Sequence, residues 1–280
     1  MVKTDITVII LTKNEQLNIS RCIDSVKDWC ERIVVVDSGS TDRTVEIVEN
    51  LGVEVYHHVP FVDYAKQFNW AIDNTNINTK WVFRLDADEC VTNELKNEIM
   101  VECEKHKDDE VTGMMMRFKI FFLGKFLKHG GAYPFLKITI FKFGKGRFED
   151  RSMGEHIVLS EGKCIDLKED CEHYDFKNLN AFIDKHNWYA TREVADYFAV
   201  RDGRVNAVLD GQPEKAKKLR DGLYYRLPRY TRAKLYYWYK FYFKMGFLDG
   251  EAGRIWAFLQ AYFYRFVVDA KIYEKELTGG

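Results

Sequence analysis

Three carboxylates fall within four residues in Asp86-Ala87-Asp88-Glu89, directly after the apolar run Trp81-Val82-Phe83 and the pair Arg84-Leu85. A short apolar run that ends in acids reads as a buried strand delivering them to a sheet edge. Along an extended chain, side chains two residues apart share a face, so Asp86 and Asp88 can address one ligand. Two such carboxylates repel unless a cation or solvent compensates them. Hard oxygen donors suit Mg²⁺ or Mn²⁺, ions that commonly bridge to phosphate oxygens. The chemistry implied is a metal–diphosphate site at the carboxyl end of a strand. The structural alternative is an acidic turn that caps the following helix.

The elements that must carry this turn are legible upstream. Residues 6–11 form a continuous β-branched and aliphatic run, as expected for a strand buried on both faces of a parallel sheet. The polar break Thr12-Lys13-Asn14-Glu15 follows, and then Ile19, Cys22, Ile23 and Val26 recur at helical spacing. The pattern repeats: residues 33–36 read as a strand, Asp37-Ser38-Gly39-Ser40-Thr41-Asp42 as a loop of turn and cap residues, and Val45, Val48 and Leu51 as one helix face. A third short strand is predicted at 53–56 and a helix at 64–74, before the strand that ends at Asp86. Alternation at this rhythm predicts an α/β fold with a parallel, doubly wound sheet. Ligands bind such sheets at the carboxyl ends of the strands, where Glu15, Asp37 and Asp86 gather. Each acid taken singly could simply cap a helix; the set is harder to explain that way.

Several function classes are excluded. No G-x-G-x-x-G follows the first strand and no Walker-type loop is present, which argues against a dehydrogenase or a P-loop enzyme. A phosphate ligand must then be neutralised mainly by metal and basic side chains. The formal net charge of −1 over 280 residues gives no electrostatic case for nucleic acid. The six cysteines form no C-x-x-C pair, so neither a zinc knuckle nor a redox dithiol is indicated. No signal peptide is read at the start of the chain, and reduced thiols in the cytoplasm are expected. The longest apolar stretch, around 255–268, is interrupted by Gln260 and Arg265 and is too short to span a bilayer.

The opening Val8-Ile9-Ile10-Leu11-Thr12-Lys13-Asn14-Glu15, the run from Ile33 through Asp37-Ser38-Gly39-Ser40-Thr41-Asp42 to Thr44, and Leu85-Asp86-Ala87-Asp88-Glu89 resemble the family 2 glycosyltransferases with a GT-A fold. Lys66-Gln67, Phe122-Leu123-Gly124 through His129 and Tyr133-Pro134, Glu155, His173 and Gly246-Phe247-Leu248-Asp249-Gly250 extend the resemblance to the branch that includes the lipopolysaccharide core β-glucosyltransferases. The resemblance implies a GT-A catalytic domain over residues 1–175 and a helical appendage over 176–280. Within the first, 1–100 would bind the nucleotide-sugar and 101–175 would face the acceptor. Glu15 and Asp37 would hold the uracil and ribose of a UDP-sugar, Asp86 would sit near the ribose and sugar, and Asp88 would bind the Mn²⁺ or Mg²⁺ that bridges the diphosphate. Thr12, Asn14, Ser38, Lys66, Gln67, Arg84 and Ala87 fall on the donor side, and His129 and Tyr133 on the acceptor side. His173 corresponds to a late histidine that can complete the metal shell; its plain alternative is an ordinary packed residue. For Lys66 the alternative is a solvated helix lysine.

An inverting transferase needs one carboxylate to take the proton of the acceptor hydroxyl as that oxygen attacks. Asp150 and Glu155, in Gly146-Arg147-Phe148-Glu149-Asp150-Arg151-Ser152-Met153-Gly154-Glu155, are the two candidates, with Glu155 favoured. The alternative for either is an ion pair with Arg147 or Arg151. The sequence departs from relatives at Gly154, where they carry histidine, at Phe135, where aspartate is frequent, and at Thr139, where arginine is common. Strands are expected at 113–122 and 136–143, with a loop at 126–134 between them. Helix is expected from Asn178 onward, with a polar connection at 201–212.

From Arg229 to Lys244, arginine, lysine and aromatic rings interleave on what reads as an uncut helix, a composition suited to a membrane interface. Ile255, Phe258, Leu259, Tyr262, Phe263, Phe266 and Val267 form a second apolar stripe. The alternative for both is packing against the catalytic region or a second subunit of a homo-oligomer. The expected partners are a UDP-sugar and a bacterial surface glycan, lipid-linked at the cytoplasmic face of the membrane. Two other readings stay open: a carbohydrate- or lipid-binding scaffold that keeps the fold without turnover, and a nucleotidyltransferase, although the phosphate-gripping loop of the latter is missing.

Overall fold

Strands β1 (Thr4–Thr12) and β2 (Cys30–Asp37) pair in parallel, with Leu11 opposite Val36 and Thr12 opposite Asp37, so the polar loops that follow them leave the sheet side by side. This computed structural model describes residues 3–149, 156–174, 177–202 and 224–278. Two units are distinguished: Met1–Phe121 with Pro134–Asp175, and Phe122–Tyr133 with Phe176–Gly280.

In the first unit β3 (Glu54–His57) and β4 (Trp81–Asp86) complete a parallel set with β2 and β1. The rest of the sheet comes from β5 (Glu89–Val91), β6 (Val111–Phe122), β8 (Phe135–Lys142) and β11 (Lys163–His173), in the order β3-β2-β1-β4-β8-β6-β11-β5. The two-residue strand β7 (Lys125–Phe126) belongs to the second unit, and in the first β9 (Gly146–Phe148) pairs with β10 (Ile157–Leu159) as a separate hairpin. Beyond β4 the sheet is mixed: β8 runs antiparallel to both β4 and β6, and β5 antiparallel to β11.

The unbroken apolar character of β1 follows from covering on both faces. Ile6, Val8 and Ile10 pack with Ile19, Cys22 and Ile23 of α1 (Ile19–Asp24), Val48 of α2 (Thr44–Asn50), and Leu95 and Ile99 of α4 (Asn93–Lys105). Ile9 and Leu11 pack with Ala65, Phe68 and Ala71 of α3 (Tyr64–Asn74). Each face removes one alternate set of side chains from water, and a period-2 polar pattern has no place in such a strand. Helix starts are set by side-chain caps: the Asp63 carboxylate accepts the Lys66 N–H at 2.6 Å, and the Thr92 hydroxyl accepts the Leu95 N–H at 3.2 Å.

Strand alternation does not extend to Asp88. Strand β4 stops at Asp86, Ala87 and Asp88 form a turn, and β5 begins at Glu89. A turn, not strand alternation, therefore directs Asp88.

The second unit is helical. Helix α5 (Leu179–Arg201) packs on α8 (Tyr264–Thr278) through Ala190, Val194, Phe198, Val268 and Ile272. The predicted uncut helix is interrupted: α6 (Thr231–Trp238) passes into a π-helical turn, Tyr239–Phe243, and Met245 adopts a left-handed conformation with φ 57° before Gly246–Asp249 and α7 (Gly250–Ala257).

Candidate active site

The loops after β1 and β2 are knitted to each other. Asn14, at φ 56°, donates its N–H to Ser40 Oγ at 2.9 Å and accepts the Thr41 N–H on its amide oxygen at 2.8 Å. The left-handed region is one that asparagine tolerates better than most residues, because its short polar side chain bonds locally. The Glu15 N–H donates to Thr44 Oγ1 at 2.7 Å, and its carboxylate accepts from Asn18 Nδ2 at 3.0 Å. Asp37 is buried, and its carboxylate accepts the N–H groups of Gly39 (2.9 Å) and Ser40 (3.0 Å) and the Ser40 hydroxyl (2.5 Å). Asp37 thus shapes its own loop. The hydroxyls of Thr12 and Ser38, neighbours across the β1–β2 strand ends, are buried and have no hydrogen-bond partner among the described residues. Buried hydroxyls normally find one, so this strand end is where a ligand group would be met.

Two donor-side expectations sit on α3. Gln67 is buried and donates from Nε2 to the Val36 carbonyl at 3.1 Å, which ties the helix to the end of β2. The Lys66 side chain is 55% exposed, with its ammonium 3.7 Å from Asp63.

The acidic turn is embedded in counter-charge. Arg84 donates to both carboxylate oxygens of Asp86, at 2.5 and 2.7 Å, and Lys137 Nζ lies 3.6 Å from Asp86 Oδ2. Lys137 also donates to Glu89 Oε1 at 2.7 Å, while Glu89 Oε2 accepts the backbone N–H of Asp86 at 2.9 Å. Burial opposes ionisation of Asp86, but Arg84 and Lys137 outweigh it and hold its carboxyl below the usual value. Burial pushes Glu89 up, and Lys137 offsets this only in part. Lys137 itself is raised: burial works against its charge and the two carboxylates win. Ala87, between the acids, is buried. Neither Lys137 nor the inward role of Glu89 was expected from the sequence. β8 runs antiparallel beside β4, with Trp81 opposite Lys142 and Phe83 opposite Ile140, and this brings the Lys137 side chain to the Asp86 and Glu89 carboxylates; no local motif announces that pairing.

His173 pairs with Glu89 in the β5–β11 ladder, and its Nε2 lies 3.4 Å from Asp88 Oδ2. Burial disfavours the imidazolium, yet Asp88 outweighs it and raises the ring above its ordinary value. The other nitrogen, Nδ1, is buried with no hydrogen-bond partner among the described residues, so the polar chemistry of the ring is directed at Asp88. Cis ligands of one octahedral ion with bonds of about 2.1 Å stand roughly 3 Å apart. The spacing therefore fits a shared divalent cation. Among the described residues no third His, Cys, Asp or Glu completes a three-ligand set, and a two-ligand site suits an ion that takes its remaining ligands from a bound diphosphate and water.

On the second unit, His129 donates its backbone N–H to Asp249 Oδ2 at 2.8 Å, and its ring Nδ1 lies 2.7 Å from Asp249 Oδ1. The Gly130 and Gly246 backbones meet beside it, where a Cβ on Gly246 would stand 3.3 Å from Gly130 Cα. This close approach explains the glycine of the Gly246-Phe247-Leu248-Asp249-Gly250 run. Tyr133 packs edge-on against Phe126, ring centroids 5.2 Å apart. Asp150 and Glu155 lie outside the described residues.

Comparison with known proteins gives this geometry its family. Residues 7–154 match the model of Glycosyl transferase family 2. An "Uncharacterized glycosyltransferase" of Rickettsia felis is 30% identical over 200 residues, covering 68% of this chain and 69% of the relative. The lipopolysaccharide core biosynthesis glycosyltransferase LpsC of Rhizobium meliloti is 25% identical over 286 residues, covering 98% and 93%. Among solved structures, the mannosyltransferase PcManGT of Pyrobaculum calidifontis superposes with a TM-score of 0.55 at 17% identity, over 98% of this chain and 88% of that one, which shows a shared GT-A-like fold. The strand-end acids, their order along the chain and these matches converge: the chain belongs to glycosyl transferase family 2, and it is a glycosyltransferase.

Proposed function

We propose that the enzyme is an inverting, divalent-metal-dependent transferase that moves the sugar of a UDP-sugar onto a lipid-linked bacterial surface glycan. The observation that carries the donor half is the Asp88–His173 pair standing beside the Arg84–Asp86–Lys137 cluster at one end of the sheet. Asp88 and His173 would hold Mn²⁺ or Mg²⁺, which supplies positive charge for the leaving diphosphate without needing a proton. The mannosyltransferase of like fold is described as a complex with GDP-mannose and Mn²⁺, which supports a nucleotide-sugar and a cation here and makes GDP the competing nucleotide. Thr12 and Ser38 offer buried hydroxyls to the nucleoside, and the Asn14–Ser40 and Asp37–Ser40 bonds fix the loops that frame it before it arrives. Glu155 or Asp150 takes the acceptor proton.

The lipid-linked acceptor is supported by two observations. LpsC, similar over nearly the whole chain, is named for lipopolysaccharide core biosynthesis. The second unit also exposes Leu235, Trp238, Tyr239, Tyr242, Phe243 and Leu248, with Lys234 and Lys244 in the same stretch. Exposed rings beside lysines suit an anionic membrane face. No helix among the described residues is long and apolar enough to cross a membrane.

Thermal unfolding with UDP, GDP, CDP and ADP, each with and without Mn²⁺, tests the donor reading. A ligand that binds only the folded state raises its stability. Selective stabilisation by UDP with Mn²⁺, lost in Asp88→Ala, is the expected result. Stabilisation by none of the nucleotides would overturn it.

A further inference from the structure

We propose that Glu89 and Lys137 are positioning residues: together they form a brace that sets the Asp86-Ala87-Asp88 turn in its ligand-binding shape before nucleotide or metal arrives. This rests on the donor-site reading above and adds two residues to it, one of them from the far side of the β4–β8 pair.

Two carboxylates and a third at the next position repel one another, and a turn can relieve that by splaying its side chains toward water. Here it is held from within. The Glu89 side chain is fully buried, and its two oxygens do different work: Oε2 accepts the N–H of Asp86 at 2.9 Å, and Oε1 accepts the Lys137 ammonium at 2.7 Å. The first bond closes the turn on itself across three residues. The second fixes the carboxylate that closes it. Lys137 is fixed in turn by the β8 backbone, which pairs with β4 on one side and with β6 on the other, Lys137 opposite Met116, and by the Phe118 ring, 4.4 Å from its Nζ.

Asp86 and Asp88 leave the turn in different directions as a result. Asp86 is drawn to Arg84 and Lys137, and Asp88 is left facing His173. Without the brace, Asp86 would lose one of its two cations and the turn its internal bond, and the Asp88–His173 spacing would no longer be set in advance. The free energy of ordering that turn would then oppose ligand binding.

Isothermal titration of the purified full chain with UDP in saturating Mn²⁺ tests this, because it separates affinity from the fraction of competent protein. Lys137→Met and Glu89→Gln each raise the Kd for UDP by about tenfold or more, with a stoichiometry near that of the wild type and no change in far-UV circular dichroism. In Glu89→Gln the new side chain cannot serve both donors, since its amide nitrogen would face either the Asp86 N–H or the Lys137 ammonium. Lys137→Arg keeps the cation and returns the Kd to within about threefold of the wild type. A role in bulk stability alone would lower the stoichiometry and the melting temperature while leaving the Kd unmoved, and that result overturns the proposal. So does a wild-type Kd in both Lys137→Met and Glu89→Gln. A wild-type chain that binds no nucleotide overturns the donor-site reading first, and this inference with it.

Discussion

His173 reaches Asp88 from the last strand of the first unit: the β5–β11 ladder sets it opposite Glu89, and Nε2 comes to rest 3.4 Å from Asp88 Oδ2. The two residues are 85 positions apart in the chain, so only the assembled sheet makes them a pair. If they share a divalent ion, Asp88→Ala abolishes the Mn²⁺-dependent part of nucleotide stabilisation. His173→Ala, which spares the carboxylate, weakens it by at least about tenfold. Equal stabilisation with and without Mn²⁺ in the wild type would count against the pair as ligands.

The Asp37 loop should respond to small chemical changes. The carboxylate accepts from three donors in a buried position, and Asp37→Ala leaves those donors without an acceptor, at about 1–3 kcal/mol for the unmet groups. Asp37→Asn keeps one oxygen and is expected to lose less. Urea unfolding of both variants beside the wild type measures the difference, and a wild-type stability in Asp37→Ala would mean that the loop is not held by this carboxylate.

In the second unit, Arg232 and Asp269 form a buried ion pair: Arg232 Nε donates to Asp269 Oδ1 at 2.8 Å, its Nη2 meets the same oxygen, and the Tyr230 N–H donates to Oδ2 at 2.8 Å. Removing one partner strands the other charge, so Asp269→Ala is expected to destabilise by about 3–5 kcal/mol. Replacing both, as Arg232→Met with Asp269→Leu, should recover much of that loss in chemical denaturation.

The exposed rings make the membrane reading testable. Trp238 is 59% exposed and Phe243 67%. Substituting both with serine should leave the melting temperature near the wild-type value and reduce sedimentation with anionic liposomes at low salt severalfold. A melting temperature that falls sharply would indicate that these rings are packed against protein.

Cys164 is exposed at the residue level, yet burial of its thiol, with the Asp166 charge adding to it, pushes its pKa up to about 11. The thiolate is the reactive form. At pH 8 only about one molecule in a thousand carries it, so labelling by a thiol reagent should be slow and should rise about tenfold per pH unit up to about pH 11. A rate that levels off near pH 9 would show an ordinary thiol.

The elements that carry the site were the easiest part to read. The runs 6–11, 33–36 and 53–56 and the strand ending at Asp86 reappear as β1 to β4, because continuous β-branched runs closed by polar loops leave few other structures open to the chain. Helix α3 has the bounds expected of it, fixed by the Asp63 cap and the apolar face of Ala65, Phe68 and Ala71. The chemistry of the acidic turn was less legible. Its acids were in view, but their counter-charge was not, since Lys137 looks like one more strand lysine until β8 turns antiparallel beside β4. The basic and aromatic run was only half legible. Its composition is the same whether a side chain faces in or out, and Arg232 proves to be buried while Trp238 and Phe243 are exposed.

Local order is written in the chain directly: which stretches extend, which coil, where the polar loops fall, and that acids stand at the ends of successive strands. Those follow from side-chain periodicity and turn chemistry, which act within about ten residues. Partners are chosen only when the chain closes. Asp86 with Lys137, Asp88 with His173, His129 with Asp249 and Arg232 with Asp269 are joined across separations of 37 to 120 residues. The energy of such a pair depends on burial and on a register fixed by the whole sheet or helix pack, neither of which any single segment encodes.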